Sequence, residues 1–129
     1  MSEGANEAIV RRFIDAANTV NLDALGEVLT PELENRWRQS LHGAFAGHTM
    51  SVKSMIASGD HVVVRIATSG LHTREWHGIP ANNKPWVTEG VYFIRIVNGR
   101  IVELETLFNE LDRVKQLGGR VVPPATGTD

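Results

Sequence analysis

The chain contains no cysteine. That absence excludes a disulfide framework, a thiolate nucleophile and any metal site built on sulfur, and it fits a reducing cytoplasm. A surplus of one charge is also lacking, since 13 Lys and Arg stand against 15 Asp and Glu, interspersed along the chain. With no basic stripe to release counterions from a phosphate backbone, nucleic acid is not an expected partner. No segment has the apolar length needed to cross a bilayer. The stretch MSEGANEAIVRRF lacks a positive region followed by an apolar core, so a cytoplasmic protein is expected. G-x-G-x-x-G, a P-loop and a Ser-His-Asp order are absent as well. The histidines His42, His48, His61, His72 and His77 form no i, i+4 pair with a nearby acid, so a metal site is not expected.

What is present is an ordinary globular composition, 42% apolar and 22% charged over 129 residues. A chain of this length buries roughly two-thirds of its unfolded surface, enough for one core with a pocket inside it. In the first half Ile9, Phe13, Ala16, Ala17 and Val20 recur at helical spacing and predict a helix from Asn6 to Thr19. Leu22, Leu25, Val28 and Leu29 predict a short second helix. Thr30 and Pro31 then stand as N-cap and first residue of a third, with Leu33, Trp37, Leu41 and Phe45 on one side. The second half alternates. Met50, Val52, Ser54 and Ile56 share one face of a strand, HVVVRIATSGLH makes a second, WVTEGVYFIRIV a third, and Asn98-Gly99 turns into a fourth at Ile101 to Phe108. Glu110 to Leu117 predicts a last helix with Leu111, Val114 and Leu117 inward and Gly118 at C′. Helices followed by an antiparallel meander make an α+β domain over residues 1–119, with a frayed tail over 120–129.

The order of these elements carries a resemblance, together with five short motifs. They are G-D-x-V at Gly59 to Val62, G-x-H-T at Gly70 to Thr73, G-I-P at Gly78 to Pro80, R-x-x-x-G-x-I-V-E at Arg95 to Glu103 and Q-L-G at Gln116 to Gly118. The chain resembles the SnoaL-like polyketide cyclases of the NTF2-like superfamily from about Asn6 to Gly118. The resemblance implies an α+β cone, with N-terminal helices packed on a strongly curved antiparallel sheet around a blind pocket. It further implies a homodimer and a cofactor-independent enzyme of cyclase, isomerase or hydrolase type, acting by proton transfer on a small, largely apolar, carbonyl-bearing molecule. In the cyclases an Asp seven residues before Q-L-G is the general acid/base; here that position is Asn109. A second implication is therefore a non-catalytic, ligand-binding or dimerising module.

Asn109 can cap the last helix, with Asp112 returning the bond, or point into the pocket and polarise a carbonyl. If it points inward, Leu107, Glu105 and Glu103 share its face, and Glu105 is a carboxylate about 13 Å along the strand at roughly 3.3 Å per residue. Glu105 is then a candidate acid/base; alternatively Glu103 or Glu105 pairs with Arg95 or Arg65 across the sheet. His72, in G-x-H-T, is a candidate general base, or else a polar strand end. Trp37, Phe45, Trp86, Tyr92 and Phe93 are candidates to line a pocket for a planar substrate, or to fill the core, with Trp76 and His77 as a lid.

Overall fold

A computed structural model describes residues 2–40 and 48–124. Leu41 and Phe45, named above for the third helix, and His42 lie outside the described residues. The order of elements is α1 (Glu3–Thr19), α2 (Leu22–Val28), α3 (Pro31–Ser40), β1 (Thr49–Ser58), β2 (His61–Leu71), β3 (Pro85–Val97), β4 (Arg100–Phe108) and α4 (Glu110–Gln116).

Local chemistry explains most of these boundaries. Ser2 Oγ accepts from the Ala5 amide at 3.0 Å, so α1 starts three residues before the expected Asn6. It ends where Val20 turns left-handed (φ 52°); Val20, expected on the apolar stripe, is an exposed cap instead. Asn21 Oδ1 caps α2 by accepting from Ala24. The Thr30 carbonyl accepts from the Glu34 amide, and Pro31 opens α3 where its missing N–H costs nothing. Asn98 and Gly99 both have positive φ, the mirror-image turn whose twist suits a tight hairpin.

The four strands form one antiparallel sheet in the order β1-β2-β3-β4. Val62, Val64 and Ile66 on β2 and Tyr92, Ile94 and Ile96 on β3 alternate inward, and with Ile9, Val10 and Phe13 of α1 and Leu25 and Val28 of α2 they form the core. Fully burying each such side chain contributes about 1.5–3 kcal/mol before entropy is counted. Asn18 locks α1 onto the sheet by donating to the Met50 carbonyl (2.9 Å) and accepting from its amide (2.8 Å).

The edge strands depart from simple alternation. On β1 the register slips between Val52 and Ser54, so Lys53 is an extra residue. Beyond it Met55 and Ala57 pack on the core, and Ile56, expected to share a face with Met50 and Val52, is 69% exposed. On β4 the register slips opposite the Arg95–Ile96 step, so Val102 is extra. Ile101 is buried before the bulge, and Leu104 is buried after it. Each bulge inverts the faces of the residues that follow.

Gly90 on β3 lies directly opposite Phe108 on β4. A Cβ there would meet Phe108 Cε1 at 2.6 Å and the Leu107 carbonyl oxygen at 2.7 Å, closer than such atoms approach. Gly90→Ala is expected to displace the Phe108 ring and lower stability by about 1–3 kcal/mol in urea denaturation, as overpacked sites do. A midpoint equal to that of the parent would contradict so close an approach.

Candidate functional site

The inward faces of the strands outrun the helices that cover them, and the uncovered half encloses a cavity of about 650 Å³. Thr68 of β2, Trp86 and Tyr92 of β3, and Leu104, Thr106 and Phe108 of β4 form its sheet wall. Arg36, Trp37 and Gln39 of α3, His48, Trp76, and Glu110 and Arg113 of α4 form the rest.

An aromatic chain joins the core to this cavity. The Trp37 ring meets Phe13 edge-on at 4.9 Å and lies 6.3 Å from Tyr92, which meets Phe108 edge-on at 5.6 Å. The Tyr92 hydroxyl donates to Met50 Sδ at 3.3 Å, a weak acceptor that leaves burial as the main influence on the phenol. Burial pushes the Tyr92 pKa above its ordinary range, and the nearby Arg113 charge opposes this only partly.

Arg113 is a cation held inside an apolar wall. Its residue is only 8% exposed, and its guanidinium carbon stands 4.8 Å from the Trp86 ring centre, 5.2 Å from that of Trp76 and 5.8 Å from that of Phe108. Nε donates to Thr88 Oγ1 at 3.3 Å. Burial lowers its pKa while the Glu110 carboxylate raises it, yet a guanidinium stays protonated in proteins. Helix α4 is seated on β3 by Gln116, which accepts from the Val87 amide (2.8 Å) and donates to its carbonyl (2.6 Å). This seating turns Arg113 and Leu117 inward and leaves Leu111, expected inward, 49% exposed.

Asn109, His72 and Glu105 do not converge on the cavity. Asn109 is exposed at the start of α4, where its Oδ1 accepts from the Asp112 amide at 3.1 Å. Asp112 does not return that bond; its Oδ2 accepts from Gln116 instead (2.6 Å). Because of the β4 bulge, the inward residues are Leu104, Thr106 and Phe108, and Glu105 is exposed on the opposite face, paired in register with Phe93. Phe93 is itself 44% exposed on that outer face. Glu103 accepts from Arg95 at 3.3 Å, and Arg95 also donates to Asp60 at 3.0 Å, lowering the Asp60 pKa. His72 is fully buried behind the wall: its amide donates to the Lys84 carbonyl and its carbonyl accepts from Asn82 and Asn83.

Of the expected lining, Trp37, Trp76, Trp86 and Tyr92 reach the cavity; Phe45 lies outside the described residues. Trp76 is presented by a tight turn in which its backbone exchanges two bonds with Ile79, while His77 and Gly78 take positive φ. His77 is exposed. Sequence reasoning missed Arg113, Glu110, Thr68 and Thr106 and left His48 without a role. The i, i+3, i+7 spacing of Glu110, Arg113 and Leu117 is the signal that places the first two on one face of α4. Among the described residues no group of three or more His, Asp or Glu could hold a metal, and no helix is long and apolar enough to cross a membrane.

A four-stranded meander with helices on one face and a cavity between the layers defines an α+β cone of the NTF2-like type. The sequence profile of the SnoaL-like polyketide cyclases matches residues 7–117, and the chain belongs to that family. Solved structures share the fold at low identity. AclR from Streptomyces galilaeus, provisionally named a hydroxylase, superposes with a TM-score of 0.79 at 22% identity, over 91% of this chain and 98% of that one. IdmH from Streptomyces antibioticus, provisionally named a polyketide cyclase, gives 0.78 at 22%, over 88% and 98%. A SnoaL-like polyketide cyclase from Agrobacterium tumefaciens gives 0.77 at 12%, over 92% and 100%. A search of curated proteins finds no match.

Tyr92 is the chain's single tyrosine, so its titration can be read alone. A phenol whose folded pKa is raised adds stability that is fully present below the unfolded value near 10 and is lost as pH climbs past it. Phenolate absorbance is expected to appear only together with loss of tryptophan emission structure, above about pH 10. Ionisation near pH 10 with the fold intact would show that Tyr92 is solvated.

Proposed function

We propose that this chain catalyses proton transfer, without a cofactor, on a planar, carbonyl-bearing small molecule held in the aromatic cavity. The observation that carries the reading is one cavity in which two proton-carrying side chains, Glu110 and His48, face a wall of Trp37, Trp76, Trp86, Tyr92 and Phe108. Glu110 is one residue past Asn109, so a carboxylate is present at the end of β4 although the resemblance would place it a residue earlier. The acid/base roles first expected of Asn109, His72 and Glu105 accordingly pass to Glu110 and His48.

In this scheme one of the pair takes the proton from the carbon next to a carbonyl. The developing enolate oxygen is met by a donor already in place on the cavity wall, the Thr106 hydroxyl. If the same molecule carries a second carbonyl, the enolate carbon attacks it, the new alkoxide takes a proton from the other group of the pair, and a ring closes. Binding without chemistry is the second reading. It is favoured by one observation: the side chain at the family's acid/base position serves as a helix cap.

Deuterium uptake into the methyl group of 2-acetylnaphthalene in heavy water, followed by NMR, tests the first reading. The parent is expected to accelerate exchange, and Glu110→Gln and His48→Ala are each expected to slow it by roughly 100-fold, the usual worth of a placed acid or base. Undiminished exchange in both variants would remove the assignment; a parent that binds the ketone without exchanging it would favour the second reading. Asn109→Ala serves as the structural control. It is expected to cost about 1 kcal/mol in denaturation through the lost cap and to leave exchange at the parental rate.

A further inference from the structure

The cavity wall holds more positive charge than proton transfer on a neutral ketone needs. Among the described residues, Arg36 and Arg113 line it against one carboxylate, Glu110. Arg113 is the informative member, because its guanidinium is buried on the cavity wall among three aromatic rings, with Nε on the Thr88 hydroxyl, and a cation placed there meets a ligand from the cavity with little water to screen it. Glu110 is exposed, so solvent weakens its help, and burial remains the larger influence on Arg113.

A second, independent observation lies beside it. Thr68 is buried on the same wall, and its hydroxyl has no hydrogen-bond partner among the described residues. Buried hydroxyls are normally satisfied, and an orphan on a cavity wall marks a place where something from the cavity supplies the bond. Thr68 is the cross-strand partner of Thr88, the residue that accepts from Arg113 Nε. A non-hydrogen-bonded or hydrogen-bonded antiparallel pair sets such Cβ atoms about 5 Å apart. The orphan hydroxyl and the seat of the buried cation are therefore neighbours.

Taking the cavity as a ligand site, as in the preceding reading, we propose that Arg113 and Thr68 form an anion corner that receives the carboxylate of a planar aromatic acid. The ring system lies among Trp76, Trp86 and Phe108, and the carboxylate takes charge-assisted hydrogen bonds from the guanidinium and a further one from the Thr68 hydroxyl. The ligand class is thereby narrowed from carbonyl compounds in general to those that also bear an acid group. A neutral analogue of the same shape keeps the stacking and loses the charged bond.

The test compares 2-naphthoate with 2-naphthamide, equal in shape and differing in charge, by isothermal titration calorimetry near neutral pH and low salt. The naphthoate is expected to bind about tenfold or more tighter, the ratio that one charge-assisted bond supplies. Arg113→Met is expected to remove the difference, Arg113→Lys to keep part of it, and Thr68→Val to weaken naphthoate binding severalfold with unchanged circular dichroism. Equal affinity for the two probes in the parent, no binding of naphthoate, or a ratio that survives in folded Arg113→Met would overturn the proposal. Should Arg113→Met fail to fold, Thr68→Val decides, and undiminished naphthoate affinity in it is equally fatal. The readout is binding, so a parent that fails to exchange deuterium into the ketone leaves this outcome independent.

Discussion

An extra residue on β4, Val102, stands opposite the Arg95–Ile96 step and turns over the face of every residue after it. Before the bulge Ile101 closes the core under α2; after it Leu104, Thr106 and Phe108 face the cavity, and Glu105 and Leu107 face outward. Had the same residues paired in unbroken alternation, with no bulge at Val102, Ile101, Glu103, Glu105 and Leu107 would have lain on one side, and the cavity would have been lined by carboxylates. The junction at Asn109 inherits the same parity, so its amide points away from the cavity and caps α4. A matching bulge at Lys53 on the opposite edge keeps Met55 and Ala57 on the core side.

The close approach of β3 and β4 at Gly90 and Phe108 then fixes where α4 can sit. Gln116 pins the helix to β3, and Arg113 consequently enters the aromatic wall. Two ionisable groups, Tyr92 and Arg113, are desolvated within this one region, and each acts on the pKa of the other. Desolvation strengthens any hydrogen bond they offer to a ligand, because little solvent is present to screen it. Packing and electrostatics in the cavity are thus set by the same few side chains.

Local spacing and residue type carried the element order, the start of α3 at Thr30-Pro31 and the Asn98-Gly99 hairpin, because these depend on neighbours within a turn or a tight loop. The short motifs, in their order, were enough for the family. Alternation failed at Ile56 and at the Glu103 to Asn109 stretch, where a bulge decides the face, and a bulge is a property of pairing with another strand. The helical pattern of α4 held at Leu117 and failed at Leu111: the helix is rolled by its anchor on Val87, so Arg113 takes an inner place and Leu111 an outer one.

By itself the sequence determined the α+β order and the lack of an ionisable group at Asn109, since each follows from residue type and local spacing. Tertiary structure alone decided that Glu110, His48 and Arg113 reach the cavity while Glu105, Phe93 and Asn109 do not. The physical reason is that a side chain's face is set by strand register and helix roll, and both are fixed by contacts between residues far apart in the chain.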